Sequence, residues 1–275
     1  MRRHLTHGLG AGLLLAVLWI GAVSAASQTG QKDTVTARAV YAVDYTNRKV
    51  LFARNQRMKL YPASTVKLMT ALVVLDRQDL KDSVVVSSRA VNVEPTRAGL
   101  TRGASYSVAD LLEVLLATSA NDAGVALAES VAGSESEFAV LMNRKAKEIG
   151  MKDSYFANAT GLPDSRQVTS AYDMSILTRT AFSHPFVKKV MTKKSITIRG
   201  SDGKKITRRN HNKLLWRLDD PQVLGKTGYT RSAGHCYAGI AYYDDRRVSV
   251  VILKSRKPWT DIYALLGVRQ KKARR

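Results

Sequence analysis

Ser64-Thr65-Val66-Lys67 is the stretch from which the rest of the chain is read. Pro62 stands just before it and the apolar run Leu68-Met69-Thr70-Ala71-Leu72-Val73-Val74-Leu75 just behind it. On a helix, residues three apart share a face, so the Ser64 hydroxyl and the Lys67 amine can meet. A serine hydroxyl is a weak nucleophile until a neighbouring base takes its proton. A lysine can be that base where its surroundings depress its pKa. The spacing therefore predicts a two-residue device for attacking a carbonyl. The spacing alone is not specific, because about one S-x-x-K arises by chance in a chain of this length. Ser201-Asp202-Gly203-Lys204 is a second copy. It lies around an Asp-Gly pair, between Ser195-Ile196-Thr197-Ile198-Arg199 and Lys205-Ile206-Thr207-Arg208. That context predicts a hairpin turn with both side chains splayed into water.

Two further motifs separate the copies. Ser119-Ala120-Asn121 is the only S-x-N in the chain. It interrupts two predicted helices, one from Val108 to Ala117, capped by Ser107 with Asp110, and one from Asp122 to Val131. Such a break lets both polar side chains face a cleft. Lys226-Thr227-Gly228 lies on a predicted strand, Leu224 to Thr230. A chance K-T-G is expected in only about one chain in twenty of this size. Around these motifs the pattern predicts a hairpin (Thr34–Val43 with Lys49–Ala53), a short strand at Val84–Val86 and a third helix from Ser134 to near Gly150. Late strands at Cys236–Tyr243 and Arg247–Leu253 precede a short helix, Asp261–Leu266. Strands at both ends around a helical middle imply one α+β unit. Its antiparallel sheet is closed by the two chain ends and flanked by helices, with a helical lobe inserted and a site at the seam.

The ordered set S-x-x-K, S-x-N, K-T-G resembles the serine penicillin-binding proteins and β-lactamases. Within them, the chain is most similar to the D-alanyl-D-alanine carboxypeptidases of the low-molecular-weight penicillin-binding proteins. The stretches that carry the likeness are Tyr61 to Lys67, Thr118 to Ala123, Asn158-Ala159-Thr160-Gly161-Leu162-Pro163, Asn210 to Leu215 and Gly225 to Thr230. It extends from about Val35 to Leu266; Ala120 departs from the glycine common at that place. The resemblance implies a β-lactamase/transpeptidase-like fold and a serine D,D-carboxypeptidase that removes the terminal D-alanine from peptidoglycan stem peptides. On that reading Ser64 attacks the carbonyl of the penultimate D-alanine. The backbone N–H groups of Ser64 and Tyr229 form the oxyanion hole. Lys67 accepts the hydroxyl proton, and Lys226, a second positive charge nearby, helps keep that amine neutral. Ser119 relays a proton to the departing amine. Asn121 orients Lys67 and holds the substrate amide. Lys226 and Thr227 bind the terminal carboxylate, and Gly228 lets the substrate backbone approach the strand. Water then hydrolyses the acyl-enzyme, and β-lactams are expected to act as covalent inhibitors.

Three other readings stay open. A D,D-endopeptidase cutting D-alanyl crosslinks uses the same machinery. A class A-like serine β-lactamase needs a glutamate to activate the deacylating water, and Met151 to Arg199 contains none. A non-catalytic envelope-binding module would not need the full set of site residues. The short stretch after Gly228, 47 residues, predicts that the extra β-rich domain and amphipathic anchor of many carboxypeptidases are missing. Asn158 and Asp164 are expected to shape a loop, His211 and His235 to be structural, His184 to lie in a loop, and Cys236 to be a buried apolar residue. No spacing supports a metal, and no cofactor is expected.

Composition sets the frame. The chain has 275 residues, 45% hydrophobic and 24% charged, which is globular. Residues 1–25 read as a signal peptide: a basic start, an uncharged stretch from Gly8 to Val23 and small residues at Val23-Ser24-Ala25-Ala26. Residues 26–33 read as a linker, 34–267 as the penicillin-binding domain and 268–275 as a basic tail. Export to the periplasm or to the outer face of the cytoplasmic membrane follows. The formal charge is +22. Export and the lack of finger or aromatic-interleaved motifs argue against nucleic acid. An anionic envelope surface, met through the tail, is the expected electrostatic partner.

Overall fold

The computed structural model describes residues 34–218, 222–243 and 245–268. The predicted leader, the linker and all of the tail beyond Val268 lie outside the described residues.

The chain opens with an antiparallel hairpin, β1 (Ala39–Asp44) and β2 (Lys49–Arg54). Asp44 fixes its turn by accepting the N–H groups of Thr46 (2.9 Å) and Asn47 (3.2 Å), an Asx turn of the expected kind. A single 3-10 turn, Ala63–Val66, leads into α1 (Lys67–Leu75), and then come β3 (Ser83–Val85) and α2 (Ser88–Asn92). β4 (Ser105–Ser107) passes straight into α3 (Val108–Thr118), α4 (Asn121–Ala132) and α5 (Glu135–Glu148). Ser107 and Ser134 cap α3 and α5 by accepting the N–H groups of Asp110 and Glu137, as the sequence predicts. Next come α6 (Ala171–Ser183), α7 (Pro185–Thr192) and a hairpin, β5 (Ser195–Arg199) with β6 (Lys205–Arg209). A single turn, α8 (Leu214–Arg217), precedes β7 (Gln222–Thr230), β8 (Gly234–Tyr243), β9 (Arg246–Ser255) and α9 (Pro258–Leu266).

The main sheet has the order β2-β1-β9-β8-β7 and every pairing is antiparallel. β1 pairs with β9, so the two chain ends close the sheet as expected. The alternation of the strands gives the sheet two faces. On one, Leu224, Ala238, Val251 and Leu253 join the helical lobe through Leu68, Met69, Leu111 and Leu115. On the other, Val223, Ala241, Val250 and Ile252 pack under α9. Each fully buried valine, leucine, isoleucine or methionine among them contributes about 1.5–3 kcal/mol of burial free energy, and an alanine methyl under about 1 kcal/mol. β7 is the last strand, so its outer edge is unpaired where it meets the 3-10 turn.

Two local expectations are corrected. His184 is a one-residue bend between α6 and α7, not a free loop. It caps α7, its Nδ1 accepting the Phe186 N–H at 3.2 Å, because Pro185 fits the first helical position, where no N–H is needed. The hairpin at Ser201–Lys204 forms, but its side chains are not simply splayed into water. Ser201 Oγ accepts the Ser105 N–H at 2.9 Å and Lys204 Nζ donates to the Gly99 carbonyl at 3.0 Å. The hairpin leans on the 99–105 segment, a tertiary contact that local pattern does not encode. Among the described residues, no helix is long and apolar enough to cross a membrane.

Candidate active site

Lys67 opens α1 and is fully buried. Its Nζ lies 3.1 Å from Ser64 Oγ and 2.7 Å from Asn121 Oδ1, and it also meets the Thr160 carbonyl. Burial, and then the Lys226 ammonium, push the Lys67 pKa well below the ordinary lysine range, while Glu135 and Asp122 pull the other way. Lys226 is also buried, and burial lowers its pKa to about 7. It lies on the face of β7 that looks toward α1, and its Nζ donates to the Thr227 carbonyl at 2.8 Å.

The Ala63–Ser64 peptide is held from two sides by glycines. Ala63 has φ +48°, so the chain turns sharply just before Ser64. A Cβ on Gly161 would fall 2.1 Å from the Ala63 carbonyl oxygen. One on Gly228 would fall 2.9 Å from Ser64 N and 3.1 Å from Thr65 N. Only the missing side chains let a loop and a strand approach the nucleophile this closely. This sets the Ser64 backbone against Gly228 on β7, one residue before Tyr229.

Ser119 ends α3 in a left-handed conformation, φ +65°. A non-glycine residue is uncommon there, and the kink turns Ser119 into the cavity that also exposes Ser64, Thr227, Gly228 and Tyr229. Asn121 is pinned twice: its N–H donates to the Thr96 carbonyl at 2.7 Å, and its Nδ2 donates to the Glu94 carbonyl at 2.8 Å. One amide hydrogen remains for a ligand. Tyr229 is 61% exposed, and its ring packs on His235 at 4.6 Å between centroids. Five of the eight site residues named from sequence, Ser64, Ser119, Thr227, Gly228 and Tyr229, line one cleft, and Lys67, Asn121 and Lys226 are buried, with Lys67 in reach of Ser64 and Asn121.

Several contributors escape sequence reasoning. The Asn158–Leu162 loop supplies the Thr160 carbonyl to Lys67. Asn158 shapes it by accepting the N–H groups of Thr160 (3.2 Å) and Gly161 (2.8 Å). Thr70, one turn beyond Lys67, donates to the neighbouring Ala159 carbonyl at 2.7 Å. The Asn-x-x-Gly signature of this loop is visible in sequence, but its destination is not. Asp164 is local, accepting from Arg166. The buried Asp122 carboxylate accepts the N–H groups of Ala98, Gly99 and Leu100 at 2.8–3.2 Å. His211 stands at the cavity rim, and its N–H ties it to the Ala117 carbonyl. Desolvation, then Lys226 and Lys67, push its imidazole down to about 4, so it is neutral at physiological pH. Cys236 is buried and burial raises its thiol to about 12. Among the described residues no His, Cys, Asp or Glu cluster could hold a metal.

This geometry has known counterparts. The profile of the D-alanyl-D-alanine carboxypeptidase family matches residues 25–257. The chain belongs to that family. It is 36% identical over 265 residues to the D-alanyl-D-alanine carboxypeptidase DacC of Escherichia coli, covering 92% of this chain and 65% of the relative. It is 33% identical over 242 residues to DacF, the carboxypeptidase of that name from Bacillus subtilis, covering 85% and 62%. The chain thus spans a little under two thirds of the length of these curated relatives. The crystal structure of a D-alanyl-D-alanine carboxypeptidase from Mycobacterium tuberculosis superposes with a TM-score of 0.78 at 28% identity, covering 85% of this chain and 90% of that one. The penicillin-binding fold is shared.

Proposed function

We propose that the chain is a serine D,D-carboxypeptidase that removes the terminal D-alanine from peptidoglycan stem peptides through an acyl-enzyme on Ser64. One observation carries the reading. Lys67 Nζ is within hydrogen-bond reach of Ser64 Oγ, Asn121 Oδ1 and the Thr160 carbonyl, and its pKa is held well below the ordinary lysine range, so once neutral it can take the Ser64 proton. No carboxylate touches the amine to hold it charged. Ser64 Oγ gives its proton to Lys67 as it bonds to the penultimate D-alanyl carbonyl carbon. The Ser64 and Tyr229 N–H groups take the oxyanion, and Ser119 passes the proton to the departing D-alanine nitrogen. Lys226 and Thr227 bind the carboxylate of the leaving residue, and water then splits the ester.

The protein works outside the cytoplasm, in the periplasm or on the outer face of the cytoplasmic membrane, after export on residues 1–25. β-Lactams, which mimic the D-alanyl end, acylate Ser64. The basic tail adds attraction to an anionic envelope surface. The family membership and the converged site residues favour a catalyst over an inert binding module. The lack of a glutamate between Met151 and Arg199 disfavours rapid β-lactam hydrolysis. The test is covalent labelling by a fluorescent penicillin together with D-alanine release from a pentapeptide. Wild type gives both, and Ser64→Ala gives neither. Wild type that takes no label and releases no D-alanine refutes the assignment.

A further inference from the structure

The Asn158–Leu162 loop, which brings the Thr160 carbonyl to Lys67, is held from two sides. Close packing fixes its inner side. A Cβ on Gly161 would fall 2.1 Å from the Ala63 carbonyl oxygen, and one on Gly124 of α4 would fall 3.2 Å from Thr160 Cγ2. Thr70 of α1 donates to the Ala159 carbonyl at 2.7 Å. The outer partner is α5. Its Asn143 accepts the Phe156 N–H at 2.9 Å and donates to the Phe156 carbonyl at 2.7 Å. Two turns earlier on the same helix, Glu135 Oε1 accepts the Ala159 N–H at 3.3 Å. The other oxygen of Glu135 accepts from Arg89 Nη2 at 2.8 Å. The Glu135 side chain is only 11% exposed. It stands in the first turn of α5, where the helix N-terminus favours negative charge. Capping does not explain its place, because Ser134 is the cap. Glu135 lines a second cavity of about 450 Å³, together with Arg89, Asn158, Thr160 and Leu162, and no part of the Ser64 cavity.

Ala159 is where the two sides meet. Its carbonyl is held by the helix that carries Lys67, and its N–H by Glu135. The carbonyl of the next residue, Thr160, then lies on Lys67 itself. We propose that Glu135 is a positioning residue for the general base: by holding the Ala159 N–H it fixes the Thr160 carbonyl on the Lys67 amine, and its charge favours the proton that Lys67 takes. Arg89, on α2, steadies the carboxylate from the solvent side. The inference rests on the serine peptidase reading, in which Lys67 receives the Ser64 proton. As that proton arrives the amine becomes an ammonium, and a fixed carbonyl oxygen binds an ammonium more strongly than a neutral amine. A carbonyl free to drift loses that gain, and the loss falls on the rate, not on substrate binding. The charges around Lys67 are few. Lys226 on β7 opposes its proton, Glu135 on α5 and Asp122 on α4 favour it, and His211 near the cavity rim is neutral. Glu135 acts from behind the loop, so it raises the proton affinity of the base without trapping the proton in an ion pair.

The test compares Glu135→Ala and Glu135→Gln with wild type, by kcat and KM for D-alanine release from a pentapeptide across pH. Glu135→Ala removes both the acceptor and the charge. Its kcat falls about tenfold, the scale of one lost hydrogen bond, while KM stays within about twofold. Glu135→Gln keeps an oxygen for the Ala159 N–H and removes only the charge, so its plateau kcat returns to within about threefold of wild type. In both variants the acid limb of kcat/KM moves to lower pH, by about half a unit or more, because a charge that favours protonated Lys67 is gone. Glu135→Gln keeps the shape of the side chain, so it decides the matter even if Glu135→Ala folds poorly. A carboxylate that serves only the fold would lower the urea midpoint and leave the plateau and the acid limb in place, and that result overturns the proposal. So does a Glu135→Gln enzyme as slow as Glu135→Ala, or an acid limb unmoved in both. Wild type that releases no D-alanine and takes no penicillin label overturns the peptidase reading, and the role of Glu135 with it.

Discussion

Ser64–Lys67 and Ser201–Lys204 share a spacing but not an arrangement. In the first, Nζ and Oγ are 3.1 Å apart and the lysine is fully buried. In the second, the two side chains turn to different partners, Ser201 to the Ser105 N–H and Lys204 to the Gly99 carbonyl, and both residues are exposed. The first begins a helix, where residues three apart face the same way. The second spans a two-stranded turn, which aims them apart. Burial then separates their chemistry. Desolvation and then the Lys226 ammonium push the Lys67 pKa well below the ordinary lysine range.

The largest expected effect breaks one copy and spares the other. Lys67→Met should slow D-alanine release at least a hundredfold, the scale of a lost general base, while Lys204→Met and Ser201→Ala stay within about twofold. Equal losses would erase the distinction. The same pair of lysines separates in stability. Burial lowers the Lys226 pKa to about 7 in the folded protein, from the 10.5 of an exposed lysine, and Lys67 is shifted the same way. Between those pH values the unfolded chain binds more protons, so stability rises with pH. It falls toward the lower end of the window, where folding must strip a proton from each buried amine. In urea melts at pH 7.5 and 10, Lys226→Met and Lys67→Met should each flatten the rise, and Lys204→Met should leave it as steep as in wild type. In rate, the acid limb should follow protonation of Lys67, with activity lost as pH falls.

The next contrast is between glycines. Gly161→Ala sets a Cβ 2.1 Å from the Ala63 carbonyl oxygen at a position with φ +83°. It should cost about 3 kcal/mol or more and displace Ser64, so stability and acylation fall together. Gly203→Ala, in the hairpin turn, has φ +79° but nothing within 4 Å of the new Cβ. It should cost only about 1 kcal/mol, the backbone share alone, and leave the rate unchanged. Chemical denaturation of both variants, with penicillin acylation rates, measures the difference. An equal cost would mean that the turn conformation, not the close approach to Ser64, is what Gly161 supplies.

These contrasts also mark what the sequence could convey. The strands, the capped helices and the three motifs are local patterns, and they lie close to where pattern places them, although the first strand begins at Ala39 instead of Thr34 and the last helix at Pro258 instead of Asp261. Ser64 and Lys67 are within one turn of each other, so their meeting is legible from spacing. The Thr160 carbonyl, the Glu94 and Thr96 carbonyls that pin Asn121, and the Asp122 carboxylate are backbone or long-range partners 24 to 93 residues away. No residue type marks a carbonyl that a lysine will find. Gly161 shows the middle case. Its presence after Asn158 announces a turn, but the turn's reason, the Ala63 carbonyl against it, exists only in three dimensions.

The smallest effect tests whether the second copy is inert. Lys204 donates to the Gly99 carbonyl at 3.0 Å, and Arg208, four residues on, donates to the Ala98 carbonyl at 2.6 Å. The N–H groups of Ala98, Gly99 and Leu100 go the other way, to Asp122. One short segment is thus braced from both sides, by hairpin cations on its carbonyls and by a buried carboxylate on its amides. Asp122 directly follows Asn121, the residue that holds Lys67. Gly99 is partly exposed and Ala98 is buried, so water can replace only one of the lost donors, and Lys204→Ala with Arg208→Ala should cost about 1–3 kcal/mol. D-alanine release should stay within about twofold, because Asp122 still holds the segment. If the double variant slows release as much as Asn121→Ala does, the hairpin belongs to the catalytic apparatus, and its S-x-x-K acts on Ser64 through the brace.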